Sequence, residues 1–242
     1  MSRANEALLE AQALSKHFGG TAALKAVSFS AAAGEIVGLI GPNGAGKTTL
    51  LNLLSGVLRP SSGKVLFRGQ DLSGLKTHAV ARMGIARTLQ TPRSFPSMTV
   101  LENVAVGSLF GSPPKKHTDP LEMLRLVGLG SRADSPMASL NLQERKNVEL
   151  ARALAMAPRV VLIDEAMSGL NPTEIEDSMR LIRRVRDETG VAIVWVEHVV
   201  KAIMQVVERI VVLNFGEVIA DGSPSEIARN GAVIEAYLGK AA

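Results

Sequence analysis

Hydrophobic and polar positions alternate in short runs along the first third of the chain. Glu10–Phe18, Ala26–Ser30 and Lys64–Phe67 read as β-strands, separated by turn residues such as Gly19-Gly20 and Ser61-Ser62-Gly63. Ile36–Ile40 is apolar throughout and predicts a buried strand, and the spacing from Thr48 predicts a helix that stops at Gly56. The middle, about Thr88 to Ala157, predicts helices over Thr99–Phe110, Asp119–Val127 and Leu142–Met156, with a loop at Gly111–Lys116. Thr99 with Glu102 three positions later is a capping-box pattern. The last third alternates strands (Val160–Ile163, Val191–Val196, Ile210–Asn214) with helices (Thr173–Thr189, Val199–Val207), then adds two short C-terminal helices. Apolar strands alternating with helices predict an α/β fold with a mainly parallel sheet covered on both faces.

Composition narrows the class. A chain of 242 residues is one large domain or one core with a lobe, and no internal repeat is visible. The absence of cysteine excludes a disulfide framework, a thiolate metal site and a cysteine nucleophile. No apolar run is long enough to span a membrane, and the segment from Met1 to Phe18 lacks the apolar block of a signal peptide. A cytoplasmic address is expected. The net charge of +4 is dispersed, with no like-charge run beyond Lys115-Lys116 or Arg183-Arg184, and aromatics make up 3%. Those figures argue against a nucleic-acid arm or a base-stacking platform, so no nucleic-acid partner is expected. Arg180, Arg183 and Arg184 share a helix face but are surrounded by Glu174, Glu176, Asp177, Asp187 and Glu188, which predicts a paired, solvated surface.

The chemistry begins after the apolar strand, with Gly41-Pro42-Asn43-Gly44-Ala45-Gly46-Lys47-Thr48. Its glycines let the backbone curl so that successive N–H groups converge on phosphate oxygens. Lys47 reaches the terminal phosphates and the Thr48 hydroxyl suits Mg²⁺. The setting between a strand and a helix is the one this P-loop pattern demands, and it implies a nucleoside triphosphate. A second signal is Val160-Val161-Leu162-Ile163-Asp164-Glu165, an apolar strand ending in two acids. Ligands sit at strand C-termini in parallel sheets, so Asp164 is a candidate to hold Mg²⁺ and Glu165 to be general base. Glu197 and His198 follow another such strand. By itself His198 fits a phosphate contact or a surface residue equally, Gln90 reads as polar surface, and His17, His78 and His117 sit on no site pattern.

In order and spacing these segments resemble the ATP-binding cassette (ABC) ATPases. The resemblance runs through Phe18, Gly34-Glu35-Ile36, the P-loop, Arg87-Thr88-Leu89-Gln90, Ala151-Arg152-Ala153-Leu154, Asp164-Glu165, Ser168-Gly169-Leu170-Asn171-Pro172 and Glu197-His198. It implies a P-loop NTPase core over residues 1–242, an N-terminal antiparallel β subdomain and an inserted helical subdomain at about 88–157. It also implies ATP bound by Phe18 and by Gly41 to Thr49, with Thr49 next to Thr48. Mg²⁺ would lie at Thr48, Gln90 and Asp164, with Glu165, Gln90 and His198 in the catalytic roles. Counting back from Leu154 places the family's signature segment, usually Leu-Ser-Gly-Gly-Gln, at Leu140-Asn141-Leu142-Gln143-Glu144, where the serine and both glycines are absent. The signature normally contacts the nucleotide of a second subunit, so Asn141 and Gln143 are the candidates here. Ala166 also replaces a usual proline, and Asn171 a usual aspartate.

Four stretches look like one branch, the ATPases of branched-chain amino-acid type importers, whose relatives handle urea and short amides. They are Gly84–Thr88, Met98–Val104, Gly169–Pro172 and Ala236–Gly239. The stretch from Gln90 to Leu140 is short for that branch. The branch implies separate transmembrane permeases, a second ATPase subunit (self or sister), an indirect solute-binding protein and a peripheral place on the cytoplasmic membrane face. A soluble or regulatory cassette with weak hydrolysis is the alternative, and a P-loop kinase a more distant one. Lys47→Ala should weaken ATP binding roughly ten- to a hundredfold with the fold intact, the value of one charge-assisted bond. Unchanged binding by calorimetry would remove the P-loop assignment.

Overall fold

The computed structural model describes residues 7–111 and 118–238. The Gly111–Lys116 loop beyond Gly111, His117 and Gly239 lie outside the described residues. The strands are β1 (Ala7–Phe18), β2 (Thr21–Ala32), β3 (Ile36–Ile40), β4 (Ser62–Phe67), β5 (Gln70–Asp71), β6 (Ile85–Arg87), β7 (Val160–Asp164), β8 (Ala192–Val196), β9 (Arg209–Asn214) and β10 (Glu217–Gly222). The helices are α1 (Lys47–Leu54), α2 (Thr77–Met83), α3 (Val100–Phe110), α4 (Pro120–Leu126), α5 (Leu142–Ala155), α6 (Pro172–Thr189), α7 (Val200–Ile203), α8 (Pro224–Ile227) and α9 (Gly231–Leu238).

Among the described residues the strands form two sheets, ordered β2-β1-β4-β5 and β10-β9-β3-β8-β7-β6. The first is antiparallel; in the second, β6, β7, β8, β3 and β9 run parallel and β10 pairs antiparallel with β9. The parallel strands are apolar at nearly every position because both their faces are buried. Ile36 and Ile40 face a core shared with α3 to α7, whereas Val37 and Leu39 face a second core shared with α1 and the antiparallel sheet. Helices α3, α4 and α5 lie between β6 and β7.

The alternation of Leu9, Ala11 and Leu14 with polar neighbours buries one face of β1, and its pairing with β2 extends both strands beyond the segments legible in sequence. Four short elements were not anticipated: α2, β5, β6 and β10. The helix expected over Val199–Val207 is confined to Val200–Ile203. Beyond it Gln205 and Val206 close tighter i→i+3 bonds to Ala202 and Ile203, and this turn still seats Val206 and Val207 in the core. On α6 the arginine face is paired as expected: Arg180 meets Asp177, Arg184 Nε donates to Glu188 at 2.6 Å, and Arg183 donates to the Gln205 carbonyl.

A buried asparagine fixes the loop that leads into α3. Asn103 accepts from the Phe95 N–H at 2.8 Å and donates to the carbonyls of Phe95 (3.1 Å) and Thr99 (2.9 Å). Asn103→Ala would strand the Phe95 groups without partners. It should lower unfolding stability by about 1–3 kcal/mol, read from denaturant midpoints at constant slope.

Candidate active site

Parallel register brings three strand ends to one place. Leu39 of β3 and Asp164 of β7 both pair with Val196 of β8, so the segments that follow, Gly41–Thr48, Glu165 and Glu197-His198, emerge side by side. The first of these wraps tightly. A Cβ on Gly41 would lie 2.1 Å from the Leu213 carbonyl oxygen, and one on Gly46 would lie 2.7 Å from that of Ala23. Only glycine permits these backbone approaches. Gly46 caps α1 with no side-chain hydrogen bond to the first-turn amides, which leaves this helix start to an anion. Lys47 is buried, and its Nζ donates to the carbonyls of Gly41 (2.7 Å) and Pro42 (3.0 Å). Burial lowers its pKa, opposed by the charges of Glu165 and Asp164. Asn43, Gly44 and Thr48 are exposed and Ala45 is buried, so the loop presents its rim outward.

Glu165 is the centre of the site. It is buried, with one carboxylate oxygen 2.5 Å from His198 Nε2 and the other accepting from Gln90 Nε2 at 2.6 Å. Three residues far apart in sequence thus converge on one carboxylate. Gln90 reaches it because Thr88 continues the β6–β7 pairing: its N–H donates to Leu162 O at 3.0 Å, and its hydroxyl accepts from Asp164 N at 3.3 Å. Asp164 is ion-paired to Arg87 Nη2 at 2.8 Å, and Arg87 Nη1 also donates to Asn52 on α1 at 2.5 Å. Arg87 therefore ties the acid-bearing strand to the P-loop helix, a role that sequence spacing did not show.

Thr48, Gln90 and Asp164 offer a hydroxyl, an amide oxygen and a carboxylate, all hard oxygen donors of the kind Mg²⁺ takes alongside water and phosphate. No group of three or more His, Cys, Asp or Glu side chains suited to a metal occurs among the described residues, so a carboxylate cage does not compete with that set. Phe18 stands apart, half exposed at the end of β1, with the Lys16 ammonium 5.2 Å from its ring centre.

The segment from Leu140 to Glu144 forms the start of α5, as expected. Asn141 caps α5: its Oδ1 accepts from Glu144 N at 2.8 Å, and Glu144 returns a carboxylate oxygen to Asn141 N at 2.9 Å. Gln143 Nε2 donates to the Glu174 carbonyl at 3.3 Å, and Leu142 packs against Gly169. Asn141 and Gln143 are thus engaged within the chain. Asn171 likewise caps α6 in a box with Glu174, with Pro172 in the first turn.

A family model described as ABC transporter matches residues 24–168, and the chain belongs to that family: it is an ATPase of the kind coupled to transport. A second model, described as branched-chain amino acid ATP-binding cassette transporter, matches residues 217–242. The chain is 36% identical over 251 residues to the high-affinity branched-chain amino acid transport ATP-binding protein BraF of Pseudomonas aeruginosa, covering 97% of this chain and 98% of the relative. It is 37% identical over 234 residues to the lipopolysaccharide export system ATP-binding protein LptB of Acidithiobacillus ferridurans, covering 96% and 97%. A crystal structure of the ADP conformation of an ATP-binding cassette of an ABC transporter superposes with TM-score 0.88 at 28% identity, covering 97% of this chain and 99% of the other.

Behind the Gln90 loop lies a buried acid that sequence reading missed. Burial on α5 pushes Glu149 up to about 7, against the lowering influence of Arg152 and of the Leu89 and Arg93 amides. In the unfolded chain Glu149 ionises near its ordinary 4.5, so between that value and about 7 the folded state binds more proton. Its contribution to stability therefore falls as pH rises through this window and levels off above it. Glu149→Gln should flatten the decline in melting temperature between those pH values; an unchanged slope would show that the acid ionises normally.

Proposed function

We propose that the chain is the ATP-hydrolysing subunit of a membrane importer for branched-chain amino acids or related small polar solutes. The contact of Glu165 with both Gln90 and His198, beside the P-loop, carries the hydrolytic part of this reading. The resemblance to BraF and the match over residues 217–242 support the solute class. Residues 1–242 act as one ABC ATPase domain, with the helices between Thr88 and Ala157 as its arm. No helix among the described residues is long and apolar enough to cross a membrane, so the solute passes through separate transmembrane permease subunits. The subunit sits on the cytoplasmic face, and a solute-binding protein acts through the permease rather than on this chain.

In the working site, Gly41 to Thr49 and Lys47 hold the ATP phosphates, and Phe18 stacks on the base. Thr48, Gln90 and Asp164 would hold Mg²⁺, which when bound would neutralise phosphate charge. Glu165 takes the proton of the attacking water, and His198 orients that water against the terminal phosphate. One Glu165 oxygen meets His198 and the other accepts from Gln90, so the carboxylate is held from two sides of the chain. This arrangement keeps the base restrained until nucleotide and partner are in place.

The self-capped segment from Asn141 to Glu144 favours a sister ATPase over a second copy. In a head-to-tail pair this segment would face the partner's nucleotide, yet the Glu144 carboxylate already occupies the helix start and would repel phosphate. Glycines at Leu142 and Gln143 should then change turnover in the assembled pair more than ATP affinity of the isolated chain. An altered affinity in the isolated chain would contradict the trans placement.

Glu165→Gln tests the central claim. Hydrolysis should fall by about 10²–10⁴ while ATP binding survives, because the base is lost and the phosphate ligands are not. With hydrolysis blocked, light scattering should report an Mg-ATP-dependent dimer, with the sister ATPase supplied where this chain alone does not close. Phosphate release at the wild-type rate would assign Glu165 a structural role and move the base elsewhere.

A further inference from the structure

The turn that follows β7 carries the Glu165 carboxylate, and its backbone is strained. Glu165 has φ of 51°, in the left-handed region that a non-glycine residue rarely occupies unless its surroundings hold it there. Two side chains, one acidic and one basic, do so. Glu197, almost wholly buried at the end of β8, accepts from Met167 N at 2.7 Å and from Trp195 Nε1 at 3.2 Å. Lys146, on α5, donates to the carbonyls of Glu165 (3.2 Å), Ala166 (3.0 Å) and Ser168 (2.6 Å).

We infer that Lys146 is a positioning residue for hydrolysis: its ammonium locks the turn that aims the Glu165 carboxylate and links that turn to the helical arm. An ammonium has three hydrogens, and here they meet three carbonyls within four consecutive residues. Burial works against this charge, lowering the Lys146 pKa, while Glu197, Glu165 and Glu149 oppose the shift. The group is therefore held where desolvation disfavours it. A lysine that merely covered surface would turn its head to water.

The placement has a mechanical consequence. Lys146 belongs to the helical segment between β6 and β7, whereas its three acceptors belong to the sheet end. Any shift of α5 against β7 pulls directly on the Glu165 carbonyl, one peptide from the side chain that does the chemistry. The same ammonium holds the carbonyl of Ser168, the residue before Gly169, where Leu142 of α5 packs. Movement of the arm is thereby read by the base through one side chain. This inference rests on Glu165 being the general base.

The test compares Lys146→Met and Lys146→Arg with the wild type, using the full chain with its second ATPase present and Mg-ATP as ligand. Trp195, the single tryptophan of the chain, supplies a local optical signal because its indole donates to the Glu197 carboxylate that pins the same turn. For Lys146→Met, kcat should fall roughly ten- to a hundredfold, the scale of losing charged hydrogen bonds. Mg-ATP affinity should stay within about twofold, and the Trp195 emission should shift. Lys146→Arg should recover most of the rate, since a guanidinium also donates to carbonyls. Should Lys146→Met fail to fold, Lys146→Gln takes its place, retaining a donor without the charge. A wild-type kcat in the Met or Gln variant, or an affinity loss equal to the loss in kcat, overturns the proposal. Glu165→Gln is run alongside. If it keeps the wild-type rate, the base reading fails and takes the Lys146 proposal with it. If it is defective while Lys146→Met is not, only the Lys146 proposal fails.

Discussion

Parallel pairing in register is the constraint on which the site depends. Val196 of β8 stands opposite Leu39 on one side and Asp164 on the other, so three strands end level with one another. Everything chemical is then attached at that edge: a phosphate-binding loop after β3, an acid pair after β7 and a histidine after β8. A shift of one residue in any of these pairings would exchange the residues committed to the two faces of the strand and carry the segment that follows it away from the others. The two apolar cores prevent this, because alternate residues of the same strands are committed to opposite sides of the sheet.

The edge then has to be braced, since polar and charged groups gathered at a strand end gain little from hydrophobic packing. Bracing comes from side chains that sit outside the reacting set. Arg87 ties Asp164 to Asn52, Thr88 extends the sheet toward Gln90, and Glu197 fixes Met167 and the indole of Trp195. Desolvation costs are visible in the raised pKa of Glu197 and, in the P-loop, in the lowered pKa of Lys47. These costs are met by hydrogen bonds that leave few orientations open to the base, and such restriction is what an electrostatically organised site requires.

Much of this was legible in sequence wherever a residue type has only one plausible use. The Gly41–Thr48 pattern between strand and helix, and the apolar run ending in Asp164 and Glu165, carry their chemistry in their spacing. Gln90 and His198 were legible only through resemblance, because their convergence on Glu165 spans long stretches of chain, and no local rule encodes that. Arg87, Lys146 and Glu149 were passed over for a related reason. On a helix or a strand end they read as ordinary charged surface, and their burial is a product of tertiary packing. The missed strands β6 and β10 are short or half exposed, so they show little periodicity. The over-long α7 shows the converse error, since Val206 and Val207 keep a helical spacing of apolar residues while the backbone tightens to suit the core.

The segment from Asn141 to Glu144 shows how a capping choice bears on what a helix start can offer a ligand. A helix start offers unpaired N–H groups and the positive end of its dipole, and either an incoming phosphate or the chain's own carboxylate can satisfy them. A serine followed by glycines would leave them open and allow close approach. Here the Asn141–Glu144 box satisfies the N–H groups of Glu144 and Asn141, Arg132 comes within 3.8 Å of Glu144, and Leu142 adds bulk where a glycine would give clearance. The same box that stabilises α5 as an element takes up part of what its start would otherwise offer a ligand. The P-loop, Asp164 and Glu165 carry no comparable departure, so the change is confined to the start of α5.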